Sequence, residues 1–415
     1  MADNKNNNER NVPHLRFPEF TEEWRSHFLT DFMSFKNGMN PDAKRFGRGT
    51  KFISVMDILN NQFICYDNIR ASVEVMDGDI DTYGVNYGDI LFQRSSETLE
   101  DVGQANVYLD SKPAIFGGFV IRGKSKGNYN PLFFRYLLAS PTARKRIIVK
   151  GAGAQHFNIG QDGLSKVSLD IPCMQEQKKI GELLQCIDAR IATQNKIIDR
   201  LQSLIKGLTD TLLENPLWQK TYLRSFMQFY STNSLSWGQL SYEEGEIRNL
   251  HYGLIHSFQT SEIDTDSLPR ILPTNVPKQY TLCQAGDVAF ADASEDTNEI
   301  GKAVEFIRTH KASVICGLHT IHGRDIKCKT LLGFKRVAFN SHYFHDQIKR
   351  LAQGTKVFSI TSSNLSSCYI YIPDIVMQKS IVVLFKAYEE QLITNKRLLE
   401  QYEKQKRYLL QQMFI

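Results

Sequence analysis

Two segments of the chain show a helical spacing of apolar residues over an unusual length. From Ile180 to Leu212, seam residues recur at alternating steps of four and three, which is the spacing of a coiled coil. The same steps recur from Ile381 to Met413, where the match is weakest at Lys406. A helix of this length spans about 50 Å and cannot bury its apolar stripe alone. The pattern therefore predicts two long helices that pack against each other in antiparallel orientation.

A polar residue interrupts each seam at the same register. It is Gln194 in the first helix and Asn395 in the second. A buried polar residue in a seam often fixes the register of a coiled coil at some cost in stability. We therefore expect Gln194 and Asn395 to set the register of the helix pair.

The regions that precede the two helices have a different pattern. Each begins with an aromatic-rich stretch, at Trp24 and at Trp218, and continues through alternating apolar and polar segments broken by Gly, Asn and Asp. Each ends at an Ile-Pro dipeptide, with Pro172 in the first region and Pro373 in the second. Period-two alternation bounded by turn residues is typical of β-strands. The sequence thus predicts two mixed domains rich in strands.

These two regions are copies of one another. The stretch GDILFQRSSETLEDVGQANVYL, which starts at Gly88, shares seven of 22 positions with GDVAFADASEDTNEIGKAVEFI, which starts at Gly286. In each copy a Gly-Asp turn is expected to start a strand, and a polar loop follows before a shared Gly. The loops differ, because Arg94 in one copy corresponds to Asp292 in the other. Two copies with one frame and different loops indicate two readers of different information.

The fold class that follows is α+β. We expect two similar mixed α/β domains, related by a pseudo-twofold internal repeat and joined by two long antiparallel coiled-coil helices. The expected divisions are an N-terminal tail at 1–19, a first domain at 20–172, a first helix at 173–215, a second domain at 216–373 and a second helix at 374–415.

Composition narrows the class of protein. Of the 415 residues, 42% are hydrophobic and 23% charged, as in ordinary soluble globular proteins. The polar start and the absence of a long apolar run predict a cytoplasmic protein with no membrane partner. Seven scattered cysteines fit a reducing compartment. The net charge of +5 permits a nucleic-acid partner without implying one.

Two motifs that could carry chemistry do not fit their context. The stretch GFVIRGKS has the spacing of a phosphate loop from Gly118 to Ser125, but its apolar interior resembles a strand and no helix follows directly. The stretch CGLHTIHGRDIKC offers four possible zinc ligands, Cys316, His319, His322 and Cys328. Strand alternation would put Cys316 and His322 on one face and His319 on the other. The sequence therefore predicts no nucleotide site, no metal site and, since no catalytic grouping is recognisable, no activity of its own.

A binding surface remains. The stretch TARKRIIVKGAGAQHF places basic residues on a predicted helix that leads into a glycine loop, and its counterpart in the second copy surrounds QGTK. Basic side chains beside exposed backbone N–H groups suit phosphates, whereas Arg, Gln, Asn and His side chains can read base edges. The candidate DNA-contacting residues are Arg94, Arg144, Lys145, Arg146, Lys150, Gln155, His156, His251, Lys349, Arg350 and Lys356.

Several motifs together resemble one known family over essentially the full length. They are VPHLRFPEFTEEW near the start, GDILF and GDVAF, GLHTI, and the Ile-Pro segments IPCMQEQKKIGELL and IPDIVMQKSIVVLF that open the two helices. With these motifs the chain resembles the specificity subunits of type I restriction-modification systems.

The resemblance implies a division of labour. Each domain would be a target-recognition domain that reads one half of an asymmetric bipartite sequence in double-stranded DNA, and the helices would dock two modification (methyltransferase) subunits. Restriction (translocase and nuclease) subunits would complete the complex. S-adenosylmethionine, ATP and Mg are then expected on the partner subunits, with no cofactor on this chain. The assembled complex would be the DNA adenine methyltransferase and ATP-dependent endonuclease, and this chain its non-catalytic specificity subunit.

One departure from the family pattern concerns a carboxylate. The stretch KFISVMDI retains Asp57, whereas NLHYGLIHS has Leu254 where the family often has Asp. Two other functions stay open at this point. One is the recognition arm of a related DNA modification enzyme, and the other is a coiled-coil scaffold whose two globular ends bind proteins.

Overall fold

The computed structural model describes residues 11–153, 155–257, 263, 265–307 and 313–415. The chain divides into two compact units, one of Met1–Gln194 with Leu398–Ile415 and the other of Asn195–Arg397. Residues 1–10 of the expected tail lie outside the described residues. Within the described ranges, no helix combines the length and the apolar character needed to cross a lipid bilayer.

The described residues of the first unit form four small sheets. Two are strand pairs, Arg25–Phe28 with Ser168–Ile171 and Ser95–Ser96 with Phe157–Asn158. An antiparallel sheet of four strands has the order Met33–Asn37, Val120–Ser125, Ile90–Gln93 and Ala105–Val107. A second sheet of four has the order Ala71–Val73, Phe46–Ile53, Ala114–Phe116 and Gly84–Val85, and its two central strands are parallel.

The second unit repeats this arrangement. Its strand pairs are Gln219–Tyr222 with Tyr369–Ile372 and Ala293–Ser294 with Phe358–Ser359. The antiparallel sheet has the order Met227–Tyr230, Thr320–Asp325, Val288–Ala291 and Ala303–Glu305. The other sheet has the order Leu240–Ser241, Arg270–Ile271, Arg248–Leu250 and Val314–Cys316, and its last two strands are parallel. The predicted repeat is thus a repeat of topology.

Short helices connect these sheets. In the first unit the α-helices are Leu29–Phe32, Val55–Asn60, Asp79–Tyr83, Pro131–Ala139, Pro141–Ile148 and Gln161–Ser165, with 3-10 turns at Ala43–Arg45 and Tyr66–Asn68. In the second unit they are Tyr252–Ser257, Phe334–Ala338, His342–Leu351 and Ser362–Ser367, with 3-10 turns at Leu223–Ser225, Trp237–Gln239, Thr265–Ser267 and Pro273–Asn275. The equivalent helices Pro141–Ile148 and His342–Leu351 both begin after a serine, Ser140 or Ser341, whose side chain accepts a backbone N–H of the first turn.

The Gly-Asp turns occur where the sequence predicts them. Gly88 and Gly286 both have a φ of 88°, a left-handed conformation that glycine adopts at little cost. Asp89 then accepts the N–H groups of Asn86 and Ser125, which closes the turn before strand Ile90–Gln93.

Two long helices complete the molecule, Met174–Leu213 of 40 residues and Ile375–Gln412 of 38. A glutamine five residues after the proline of each Ile-Pro dipeptide hydrogen-bonds its helix to the adjacent domain. Gln177 accepts from Asn130 N (3.0 Å) and donates to Pro172 O (3.0 Å). Gln378 accepts from Leu331 N (2.6 Å) and donates to Pro373 O (3.0 Å).

Each unit includes part of both long helices in its core. In the first unit, Ile180, Leu184 and Ile187 pack in one cluster with Leu409 and Met413. In the second, the buried Ile381 and Phe385 share a cluster with the partly buried Ile205, Leu208 and Leu212. The start of the first helix and the end of the second thus share one core, and the reverse holds in the other unit, as the predicted antiparallel pairing requires.

The weak seam position Lys406 has a structural reason. Its ammonium lies 2.6 Å from a carboxylate oxygen of Asp188, which is only 6% exposed. The same carboxylate accepts a hydrogen bond from the hydroxyl of Tyr136 (2.8 Å). Lys406 therefore neutralises a buried acid within the first unit. Of the two polar seam residues, Gln194 is buried, and Asn395 is half-buried and donates to Gln391 O in its own helix.

Candidate nucleic-acid interface

Three segments that are distant in sequence meet in the first unit, and we call their meeting point the loop junction. The backbone N–H of Arg94 donates to Phe119 O (2.9 Å), and Ile159 N donates to Arg94 O (2.9 Å). The strand Ser95–Ser96, next to Arg94, pairs with Phe157–Asn158. The loop after strand Ile90–Gln93, the turn before strand Val120–Ser125 and the glycine loop that carries Gln155 and His156 are thereby brought together.

The second unit has the same loop junction. Asp292 N donates to His319 O (3.1 Å), and Ile360 N donates to Asp292 O (2.9 Å). Strand Ala293–Ser294 pairs with Phe358–Ser359, which follows the loop that carries Lys356. Arg94 and Asp292 therefore occupy equivalent places, as do Phe119 and His319.

A glycine closes the loop in both copies. Gly153 has a φ of 148° and Gly354 a φ of 135°, which residues with a Cβ rarely adopt. A Cβ at either position would also collide with a carbonyl oxygen, that of His156 or of Val357. A glycine in the same unusual conformation therefore fixes the backbone of the junction in both units. The two junctions differ only in the side chains that they expose.

In the first unit the junction presents a cation and an aromatic ring. Arg94 is half-buried, and its Nη1 donates to Gly118 O at 3.3 Å, a long bond that leaves other donors of the guanidinium available. Phe119 is 69% exposed beside it. A guanidinium with free donors can bind guanine O6 and N7 together, and an exposed ring can pack on a thymine methyl group.

In the second unit the junction presents an acid and an imidazole. Asp292 Oδ1 lies 3.1 Å from His319 Nδ1. Burial raises the pKa of Asp292, although the His319 contact opposes the shift. His319 has a φ of 55° and contacts the ring of Tyr252 edge-on at 5.3 Å. A carboxylate accepts from the amino group of cytosine, and an imidazole donates or accepts, so this junction suits different base edges from those that Arg94 suits.

His251, expected to contact DNA, does not lie at the surface. It is 3% exposed between Trp237 and Tyr252, with ring centroids 4.5 and 4.8 Å away. Its Nδ1 accepts the N–H of Gly253 (3.2 Å), and burial lowers its pKa. His251 is therefore poorly placed for the expected DNA contact, because its imidazole is buried and accepts a hydrogen bond from the start of helix Tyr252–Ser257.

The hydrogen bond from Gly253 to His251 also explains why the second unit has Leu254 where the family often has Asp. In the first unit Ser54 precedes helix Val55–Asn60, and Asp57 Oδ2 accepts both its N–H (2.8 Å) and its hydroxyl (2.7 Å). In the second unit His251 stands in the place of Ser54 and accepts a helix N–H instead. The carboxylate is a helix cap in the first unit, so Leu254 is free to pack on the core of the second.

Two of the candidate arginines support the domain itself. Arg144 Nη2 donates to Glu100 O and Val102 O, both at 2.7 Å. Arg146 donates to Ser168 O (3.0 Å) and pairs with Asp170 (2.8 Å). In the second copy uncharged groups make the matching contacts to backbone carbonyls, His345 to Thr297 O (3.0 Å) and Gln347 to Tyr369 O (3.1 Å). The fold therefore does not require a positive charge at these two positions, and both guanidinium groups donate to backbone carbonyls.

The other candidates in the first unit are accessible. Lys145, Lys150, Gln155 and His156 are exposed, and across the described residues their side chains make no hydrogen bond or ion pair. In the second unit Lys349 donates to Asn298 Oδ1 (2.9 Å), and Lys356 is exposed on its loop. Arg350 is exposed and lines a cleft with Asp210, Glu214 and Asp346, whose acidic surroundings are poorly suited to a phosphate.

Sequence reasoning missed Phe119 and His319. A signal for them exists, since IFGGFVIRG and ICGLHTIHG share their frame and differ at these positions. Periodicity assigned the stretch to strand, whereas residues 117–119 and 317–319 form the turns before strands Val120–Ser125 and Thr320–Asp325.

Comparison with known proteins gives consistent matches. Residues 21–203 match the model of the type I restriction modification DNA specificity domain. The putative type I restriction enzyme MjaX specificity subunit of Methanocaldococcus jannaschii is 22% identical over 435 residues, which cover 97% of this chain and 95% of that protein. The type I restriction enzyme EcoKI specificity subunit of Escherichia coli is 22% identical over 210 residues, 47% of this chain and 45% of that protein.

Solved structures share the fold. The type I restriction-modification system S subunit from M. genitalium aligns with a TM-score of 0.57 and 13% identity, covering 97% of this chain and 99% of that one. A chain from a structure of complex assembly and conformational transition of the type I R-M system aligns with a TM-score of 0.56 and 12% identity, covering 93% and 96%. These matches confirm the resemblance read from the sequence: residues 21–203 carry a type I restriction modification DNA specificity domain, and nearly the whole chain is similar to a type I restriction enzyme specificity subunit.

Proposed function

We propose that this chain selects the DNA target of a type I restriction-modification complex, and that each unit reads one half of a bipartite sequence through its loop junction. The observation that carries the proposal is the pair of loop junctions themselves. Their backbone hydrogen bonds match segment by segment, whereas the side chains they present are Arg94 and Phe119 in one unit and Asp292 and His319 in the other. Two domains that recognise different DNA sequences need the same backbone arrangement with different polar side chains at the contact positions.

In this proposal the recognition domains span 20–172 and 216–373. Arg94 contributes base contacts in the first half-site, and Asp292 with His319 contributes them in the second. The exposed Lys145, Lys150 and Lys356 supply phosphate contacts, which position a protein on DNA without carrying sequence information. Gln155 and His156 extend from the same junction as Arg94 and can reach either a base edge or a phosphate.

The proposal also assigns the partners. The helices at 173–215 and 374–415 dock two modification subunits, and restriction subunits join that complex. Both long helices carry exposed apolar residues suited to such docking, among them Leu204 (43% exposed) in the first and Val383 (62%) in the second. Methyl transfer from S-adenosylmethionine and ATP-driven cleavage with Mg belong to the partners, and this chain contributes recognition.

The test is a map of methylated bases in a host that expresses this chain with its modification subunits. Arg94→Ala should relax the choice at one base pair of one half-site, at a cost of about 1–3 kcal/mol if the guanidinium binds guanine through two donors. Asp292→Ala should relax the other half-site only. Arg146→Gln, which copies the residue of the second repeat, is the matched control and should leave the methylated sequence unchanged. A protein-binding scaffold would give methylation that is independent of both junctions.

A further inference from the structure

Two buried thiols and a buried imidazole converge in the second unit. Cys283 is 7% exposed, Cys316 3% and His322 1%. The two sulfur atoms are 3.6 Å apart, and one ligand atom from each of the three residues lies within 4.8 Å of the others. Two thiolates bound to one zinc at about 2.3 Å in tetrahedral geometry would be about 3.8 Å apart. The spacing of the sulfurs is therefore close to that of a zinc pair.

The backbone fixes the elements that carry these side chains. Cys283 N donates to Val314 O (2.8 Å), which places Cys283 against strand Val314–Cys316. His322 lies on strand Thr320–Asp325, which follows the next turn of the chain. The cluster thus joins three segments through side chains that strand pairing already brings together.

A carboxylate is hydrogen-bonded to one nitrogen of the imidazole. Asp287 Oδ2 lies 2.8 Å from His322 Nε2, and Arg324 binds both oxygens of Asp287, at 2.8 Å from Nε and 2.7 Å from Nη2. A carboxylate that accepts one ring N–H fixes the tautomer, so that the other nitrogen is free to bind a metal, and this arrangement is common behind zinc-binding histidines. Here the nitrogen left for a metal is Nδ1.

The first repeat fills the same space differently. The places of Cys283, Cys316 and His322 are taken there by Val85, Phe116 and Arg122, as the shared strand registers show. The Arg122 guanidinium lies 5.4 Å above the Phe116 ring and donates to Gly84 O. The fold therefore does not require thiols or an imidazole at these positions. The second repeat has three residues that can bind a metal where the first has two apolar residues and an arginine.

We propose that Cys283, Cys316 and His322 bind one zinc ion, with Asp287 as the positioning residue behind His322. This differs from the four ligands considered from sequence, because the structure brings in Cys283 and leaves His319 at the loop junction. Cys316 and His322 flank the turn at residues 317–319, so a bound ion would brace the turn that carries His319. Zinc binds cysteine as the thiolate, so binding must release thiol protons, and the affinity for metal should increase with pH.

The experiment is a titration of the reduced, metal-depleted full-length chain with Co²⁺, followed by displacement with Zn²⁺. We expect a sulfur-to-cobalt charge-transfer band and ligand-field bands that saturate at one ion per chain and disappear on addition of zinc. Elemental analysis of the zinc-loaded chain should give one zinc. Wild-type protein that shows no charge-transfer band, and instead forms a Cys283–Cys316 disulfide by mass spectrometry, would overturn the proposal.

Variants identify the ligands. Cys283→Ser and Cys316→Ser should each remove most of the charge-transfer intensity and weaken binding at least tenfold. Cys368→Ser changes an equally buried cysteine outside the cluster, and Cys328→Ser changes the exposed cysteine of the sequence-based set. Both controls should bind as wild type does. Loss of the band in Cys328→Ser with retention in Cys283→Ser would assign the metal to the other set and refute this one. Should a serine variant fail to fold, Cys283→Val removes the same thiol ligand and introduces the residue that the first repeat has at this position.

Discussion

The four basic residues of the segment from Arg144 to Lys150 should divide into two classes when their charges are removed. Lys145 and Lys150 are exposed, and within the described part of the chain their side chains have no partner, whereas Arg144 and Arg146 are bonded to backbone carbonyls. We predict that Lys145→Gln with Lys150→Gln weakens DNA binding on every sequence, and that Arg146→Gln does not. The reason is that Gln347 makes the equivalent carbonyl contact in the second unit without a charge.

The magnitude follows from counterion release. Each phosphate contact contributes about 0.9 to the slope of log K against log salt, so the loss of two contacts should flatten the slope by roughly 1.8. When the salt concentration rises fourfold, the factor by which wild-type affinity falls should therefore be about 12 times the factor for the double lysine variant. Arg146→Gln should keep the wild-type slope to within the error of the measurement.

The assay is fluorescence anisotropy with the complex of this chain and its modification subunits. A duplex that contains the methylated target and a random duplex of the same length are each titrated at several salt concentrations. The double lysine variant should lose affinity for both duplexes by similar factors, since phosphate contacts carry no sequence information. Equal slopes for the lysine variant and wild type would refute the phosphate role, and a flattened slope in a folded Arg146→Gln variant would refute the division into two classes.

Four further outcomes are expected. Exchange of residues 20–170 for those of a relative should change one half of the methylated sequence only, and a methylome in which both halves change would contradict independent readers. Removal of one heptad from each helix, residues 191–197 and 392–398, shortens each helix by about 10 Å. The variant should select a target whose gap between half-sites is about three base pairs shorter, with the same bases read in each half. Methylation of the original target at wild-type efficiency would show that helix length does not set the gap. Lys406→Ala leaves the buried Asp188 with the Tyr136 hydroxyl and should lower the free energy of unfolding by about 1–3 kcal/mol in denaturant titrations; Lys404→Ala, at an exposed pair on the same helix, should cost far less. The purified chain alone should turn over neither ATP, S-adenosylmethionine nor DNA, and turnover that co-purifies with it through every step would show otherwise.

The sequence by itself determined the two long helices and the internal repeat. Both are properties of spacing along the chain. Steps of four and three from Ile180 onward and from Ile381 onward specify a helical face whatever the rest of the molecule does, and they lie in helices Met174–Leu213 and Ile375–Gln412. The copies are recognisable because glycines such as Gly88 and Gly286 hold backbone conformations that other residues rarely adopt.

Only the tertiary structure decided what individual side chains do. Arg146 is of a residue type that often contacts DNA, but its partners show that it supports the domain. Those partners lie on a strand more than 20 residues away in the sequence. Lys406 breaks the apolar seam because it meets an acid on the other long helix. Arg94 and Ile159, or Cys283 and His322, become neighbours through strand register and turn geometry. A periodic pattern fixes the face of an element on which a residue lies. A partner distant in sequence is fixed only when the sheets assemble. The assembled fold therefore distinguishes residues that can contact DNA from residues that support the domain.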